Sequence, residues 1–190
     1  MTDKRYREIE QKVMRMYESL PMIMFPIDVF MIAKHFGIKL MPYSKMTDEE
    51  RLIFQEKCSE DGFCVQLETS QNHFEWRIYY DDILEYCHPK ARKKRIRFTI
   101  LHELGHIFLG HTEHSQLAEA EANYFAGYAI APPVLVDWLC VSHYMELSRI
   151  FKVSEECAYV CMSRYFRWKH HKEETRELDA CMLSLFRSVL

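Results

Sequence analysis

The sequence predicts an α+β fold: a small three-stranded sheet, antiparallel or mixed, packed with helices and followed by a helical C-terminal region. Three observations predict it. Apolar residues recur at helical spacing near the N-terminus, two strand-like runs lie between residues 63 and 80, and everything after Pro89 is helical in pattern.

The elements follow in order. Tyr6, Ile9, Val13, Met16, Tyr17 and Leu20 share one helical face, so residues 3–20 form an amphipathic helix with its apolar stripe on a core. A second helix over residues 27–36 stops at Gly37, a residue suited to helix termination, and residues 38–43 read as a short strand. Thr47-Asp48-Glu49-Glu50 has the form of a capping box and opens a helix to about residue 56. Residues 63–67 and 74–80, joined by a polar stretch, form a hairpin. Pro89 suits the first turn of a long helix that Gly110 would end, and a further helix starts near Ser115 and closes before Pro132-Pro133. We expect one domain over residues 1–190, with a core over 1–131 and a helical extension over 132–190.

The long helix carries His102-Glu103-Leu104-Gly105-His106. Residues at i and i+4 are neighbours on one helical face, so both imidazoles can reach a single zinc ion at about 2.0–2.1 Å. Glu103 is not aligned with them and can act as the base that takes a proton from water, the division of labour of an H-E-x-x-H motif. Arg97-Phe98-Thr99-Ile100-Leu101 and Ile107-Phe108-Leu109 flank the motif with apolar residues. A buried helix with His, Glu and His turned inward makes little sense without a metal.

A catalytic zinc site needs a third protein ligand. The segment Glu119-Ala120-Glu121-Ala122-Asn123 offers two carboxylates. Glu119, Ala122, Asn123 and Ala126 form one stripe whose small residues permit close helix contact, which favours Glu119. Glu121 lies about 200° further round, where a supporting role is expected. Asn123 could orient a ligand imidazole. His111 competes as a ligand, but the three-histidine pattern needs Gly at position 109 and His at 112, where this chain has Leu109 and Thr112. His111 and His114 therefore read as loop residues at the mouth of the site. Tyr79, Tyr80 and His111 are alternative donors to an oxyanion, and the strand over 74–80 is the candidate edge for holding an extended substrate, with ordinary core packing as the alternative.

The stretch from Arg97-Phe98-Thr99 through His102-Glu103-Leu104-Gly105-His106 to Glu119-Ala120-Glu121-Ala122-Asn123-Tyr124-Phe125-Ala126 resembles the ImmA/IrrE metallopeptidases. Weaker likeness extends to Pro26-Ile27-Asp28-Val29 and to Phe151-Lys152-Val153-Ser154. The resemblance implies a zincin-like fold with the motif on a central helix, one Zn²⁺ held in gluzincin fashion by His102, His106 and Glu119, and Glu103 as catalytic base. It also implies a cytosolic endopeptidase of bacterial or mobile-element origin whose protein substrate is a repressor or other regulator.

Composition fits that compartment. Seven scattered cysteines without a C-x-x-C spacing disfavour a disulfide framework, the charged first ten residues disfavour a secretory leader, and no apolar run is long enough to span a bilayer. A formal net charge of −3 disfavours general nucleic-acid binding. The exception is Lys90, Lys93, Lys94 and the arginines 92, 95 and 97, which read as a solvated face paired with acidic neighbours or as a docking patch for an acidic substrate or nucleic acid. The main rival to a peptidase is a zinc-stabilised regulatory module that binds DNA through a helix-turn-helix beginning near Phe151, with Ser154 as cap. Glu155 and Glu156 oppose it, since acidic side chains in the first turn repel phosphates. Lys169-His170-His171-Lys172 reads as solvated helix surface.

Overall fold

The structure, a computed structural model, describes residues 1–54, 61–68, 74–83, 88–170 and 176–190. Helix α1 (Asp3–Glu18) starts at Thr2, whose hydroxyl accepts the Arg5 N–H, and buries Ile9, Val13, Met16 and Tyr17 as the helical period requires. Helix α2 (Val29–His35) is capped by the Asp28 carboxylate and is followed by Gly37 at φ 68°, a left-handed conformation that glycine adopts without a Cβ penalty. Strand β1 (Lys39–Pro42) follows. Helix α3 (Asp48–Ile53) carries both bonds of the capping box: Thr47 Oγ1 accepts the Glu50 N–H at 3.1 Å, and Glu50 Oε2 accepts the Thr47 N–H at 3.0 Å. Its expected continuation to residue 56 lies outside the described residues.

Strands β2 (Gly62–Glu68) and β3 (Phe74–Tyr80) form the expected antiparallel hairpin, with Cys64 opposite Ile78; the connecting residues 69–73 are outside the described ones. The sheet order is β1-β3-β2, and β1 runs parallel to β3 with Met41 opposite Tyr79. This corrects the expectation that residues 74–80 offer a free edge. β3 is paired on both sides, and among the described residues β2 is an edge strand. The reason is the β1–β3 pairing, a contact between distant parts of the chain that local patterning does not encode. Side chains alternate across the sheet: Ile78 joins the main core, whereas Phe63, Val65 and Tyr79 pack with Met46 and Phe54 in a smaller cluster.

The remainder is helical: α4 (Pro89–Leu109), α5 (Gln116–Ile130), α6 (Pro133–Trp138), α7 (Tyr144–Phe151), α8 (Glu155–His170) and α9 (Arg176–Phe186). Helix α4 packs on α5 and on the sheet, and the main core runs continuously from Ile9 of α1 to Phe186 of α9. Thus the fold is a mixed α+β arrangement in which helices predominate. Ser154 caps α8 by accepting the Cys157 N–H at 3.1 Å. Arg164 of α8 is buried, with its guanidinium 4.4 Å over the Tyr124 ring and against Gly127, where a Cβ would fall 2.6 Å from Nη1. Among the described residues no helix is long and apolar enough to cross a membrane.

Candidate metal centre

The His-Glu-His segment lies on the second half of α4. The helix begins with His88 as N-cap and Pro89 in its first turn, and it ends at Gly110, whose φ of 72° lets the chain turn back into the loop over residues 111–114. Ser115 then caps α5 by accepting the Ala118 N–H at 3.1 Å. Gly105 is what brings the two helices together. A Cβ there would lie 3.2 Å from the Ala122 Cα and from the Phe125 side chain, so the missing methyl is the space that α5 occupies.

This approach delivers Glu119 to the two histidines. The Nε2 atoms of His102 and His106 are 3.0 Å apart, and Glu119 oxygens lie 3.2 Å from His102 Nε2 and 3.4 Å from His106 Nε2. A tetrahedral zinc ion with bonds of about 2.0–2.1 Å separates its ligand atoms by about 3.3 Å, so the three spacings match a common ion. Among the described residues, His102, His106 and Glu119 form a group able to hold one.

The surrounding hydrogen bonds show why a cation fits. His102 Nδ1 faces the Asn123 side-chain oxygen at 3.1 Å, which places the proton on Nδ1 and leaves Nε2 with a lone pair. His111 bridges His106 and Glu121: its Nε2 is 3.0 Å from Glu121 Oε2, and its Nδ1 is 3.0 Å from His106 Nδ1. The carboxylate only accepts, so a neutral His111 carries its proton on Nε2 and accepts from His106 Nδ1. His106 Nε2 is then also a bare lone pair. Two lone pairs and a carboxylate converge on one point, an arrangement that repels itself until a cation enters.

Electrostatics favour the neutral imidazoles. Burial lowers the pKa of His102 despite the raising effect of Glu119, and burial with neighbouring histidines lowers that of His106. Behind them, Arg5 of α1 grips Glu121 with two bonds, Nε to Oε1 at 2.8 Å and Nη2 to Oε2 at 2.5 Å. That clamp, with His111, holds the Glu121 carboxyl down to about 2. Glu121 therefore points away from the ion position and supports His106 through His111.

Glu103 is 6% exposed, and burial pushes its carboxyl up to about 7 against the opposing hydrogen bonds from the Cys64 side chain and backbone N–H. A cation held by its neighbours would pull that value back down. The Cys64 bond also fixes the orientation of β2. The Cys64 N–H on its outer edge is taken by Glu103, and by strand alternation Gln66 directs its N–H and C=O to the same side. A cleft of about 360 Å³ lies there, bounded by Cys64 to Gln66, Glu103, His106 and residues 111–114.

The structure thus brings His102, Glu103, His106 and Glu119 together and sets Asn123 behind His102. It removes Tyr79 from the candidate oxyanion donors, because that residue is fully buried and its hydroxyl donates to Glu50 at 2.8 Å. His111 is committed to Glu121 and His106. His114, 80% exposed with Nδ1 3.5 Å from Glu119 Oε1, is the histidine left at the cleft mouth. Sequence reasoning missed Arg5, which lies 116 positions from Glu121 and shares no local pattern with it. It also missed Cys64 as partner of Glu103.

Comparison with known proteins agrees with this centre. A peptidase family model described as the IrrE N-terminal-like domain matches residues 86–163, the stretch from just before α4 into α8, consistent with the ImmA/IrrE family. No curated protein and no solved structure matches the chain.

Proposed function

We propose that this chain is a cytoplasmic zinc-dependent endopeptidase of zincin-like fold that hydrolyses a regulatory protein, such as a repressor of phage or mobile-element origin. The observation that carries this reading is the convergence of two bare imidazole nitrogens and the Glu119 carboxylate beside Glu103, under an open strand edge. One zinc ion held by His102, His106 and Glu119 would supply a Lewis acid for the scissile carbonyl and acidify water.

The chain's own residues supply the rest. The outer edge of β2 at Gln66 pairs with the substrate backbone and holds it extended across the cleft. Glu103 takes the proton of the attacking water and delivers it to the leaving amine nitrogen, using one carboxyl for both transfers. His114 donates to the oxygen that gains charge in the tetrahedral intermediate. Asn123 and the Arg5-Glu121-His111 series keep both ligand imidazoles in the required tautomer. In this division of the chain, residues 1–131 form the peptidase core and 132–190 an extension that packs against it.

The test is to incubate purified wild-type and Glu103→Gln protein with proteins encoded beside it and to read cleavage by mass spectrometry. Specific cleavage by the wild type alone supports the peptidase. Cleavage by neither, with metal bound in both, would favour a zinc-stabilised regulatory module. Against a DNA-binding version of that module, Arg164 on α8, the helix that follows the Ser154 cap, is buried against Tyr124 and not offered to phosphates.

A further inference from the structure

A second concave site lies on the first half of α4. A groove of about 780 Å³ runs between this helix, the segment over residues 24–30 and the α7–α8 junction. Six cations line it: Lys90, Lys93, Lys94, Arg97, Arg149 and Lys152. Among the described residues the carboxylates that line it are Asp28 and Glu155, in a chain whose formal net charge is −3. Asp28 is already committed, accepting the N–H groups of Phe30 at 2.9 Å and Met31 at 3.1 Å.

The cations divide into two kinds. Arg97 forms the floor, donating to the carbonyls of Phe151 at 3.0 Å, Lys152 at 2.7 Å and Ile27 at 2.9 Å, so it ties the two walls together. Lys94 donates to Ser148 Oγ at 2.9 Å. Lys90, Lys93, Arg149 and Lys152 have no side-chain ion pair among the described residues. Lys152 holds its place at φ 56°, a left-handed position where glycine is usual and a side chain is strained. Lys90, in the first turn of α4, also opposes the helix's N-terminal dipole. A bound anion would offset the charge cost.

The groove is not uniformly charged. Met24, Phe30 and Met145 line it and are each more than two-fifths exposed. A volume in the range of small-molecule sites, with apolar walls and a cationic rim, fits a ligand that is part flat and apolar, part polyanion. We propose that this groove binds a nucleoside phosphate, its phosphates on Lys93, Arg149 and Lys152 and its base against Phe30 and Met145. Free phosphate would leave most of the volume and the apolar walls unused. An acidic peptide would find helices and loops here and no strand edge for its backbone. Extended nucleic acid needs a longer basic track than this groove provides.

Equilibrium binding to the full chain tests this, with ATP, inorganic tripolyphosphate and a poly-glutamate peptide as probes, without magnesium. ATP should bind saturably, at least about tenfold more tightly than tripolyphosphate. The Lys93→Glu/Arg149→Glu double variant should lose about tenfold or more, the loss expected for removing charge-assisted contacts. Phe30→Ala should weaken ATP and leave tripolyphosphate unchanged. Lys34→Glu, an exposed charge reversal on α2 outside the groove, serves as the control and should change nothing. Melting curves without ligand check that each variant folds; should the double variant not, Lys93→Glu alone carries the test. Equal affinity for ATP and tripolyphosphate, tighter binding of poly-glutamate, or ATP binding indifferent to Lys93 would each overturn the proposal.

Discussion

The two halves of α4 use ionisable side chains in opposite ways. In the second half, His102, Glu103 and His106 are sheltered, and each has a named partner: Asn123, Cys64, and His111 backed by Glu121 and Arg5. In the first half, Lys90 and Lys93 stand in solvent along an open groove and make no side-chain ion pair among the described residues. The difference is one of reorganisation. A site that must hold an ion and move a proton benefits from side chains fixed beforehand, because disorder there reduces both affinity and rate. A site that captures a soluble anion can leave its charges solvated until the ligand arrives, at the expense of salt sensitivity.

The largest break in this contrast comes from Glu103→Gln. It should keep its metal and lose at least about 10²-fold in hydrolysis, because the residue is a base and not a ligand. Proteolysis at the wild-type rate would remove the peptidase reading. Next come the two glutamates of α5. Glu119→Ala should lose most of its bound zinc, whereas Glu121→Ala should weaken zinc affinity by about 10–100-fold, the range for an outer partner of a ligand histidine. Metal analysis of both purified variants decides this, and the reverse order would move the ligand to Glu121.

Acidity sharpens the comparison further. Glu121 has its folded-state pKa depressed to about 2 from 4.5 by Arg5 and His111, so its contribution is fully present above pH 4.5 and is lost as pH falls toward 2. The stability difference between metal-free wild type and Glu121→Gln should therefore shrink across that window in denaturant melts. A difference that stays constant would show that the Arg5 clamp does not act through the carboxylate charge. The smallest effect belongs to the open half. Lys152→Gly should stabilise the fold by about 0.5 kcal/mol, relief of the left-handed strain less the added freedom of glycine when unfolded. A loss of stability would show that the lysine side chain makes a contact worth more than its strain.

How much of this was legible depended on the range of each interaction. The capping box at Thr47, the stops at Gly37 and Gly110, the hairpin and the α4 motif are written within a few residues of themselves, and each has its expected local form. The side-by-side placement of Glu119 and the histidines was readable from the small residues of α5. The pairing of β1 with β3 was not, and it moved the open edge from residues 74–80 to β2. Arg5 escaped for the same reason, since nothing near it in the chain signals Glu121. The basic run was legible as charge, but whether its charges paired or lined a groove depended on α7 and α2 coming alongside.

Gly105 carries a consequence for how such a centre could be controlled. With the Ala122 backbone and Phe125 seated in the notch it leaves, α5 has no continuous path along α4, because sliding would first have to lift an aromatic ring out of a close-packed recess. Packed helices of this kind move in steps or not at all. The spacing of Glu119 and the histidines is thus tied to a packed notch and not to a sliding contact. Gradual tuning of the ligand geometry is therefore disfavoured, and access through the cleft beside β2 is the softer point at which this centre can be controlled.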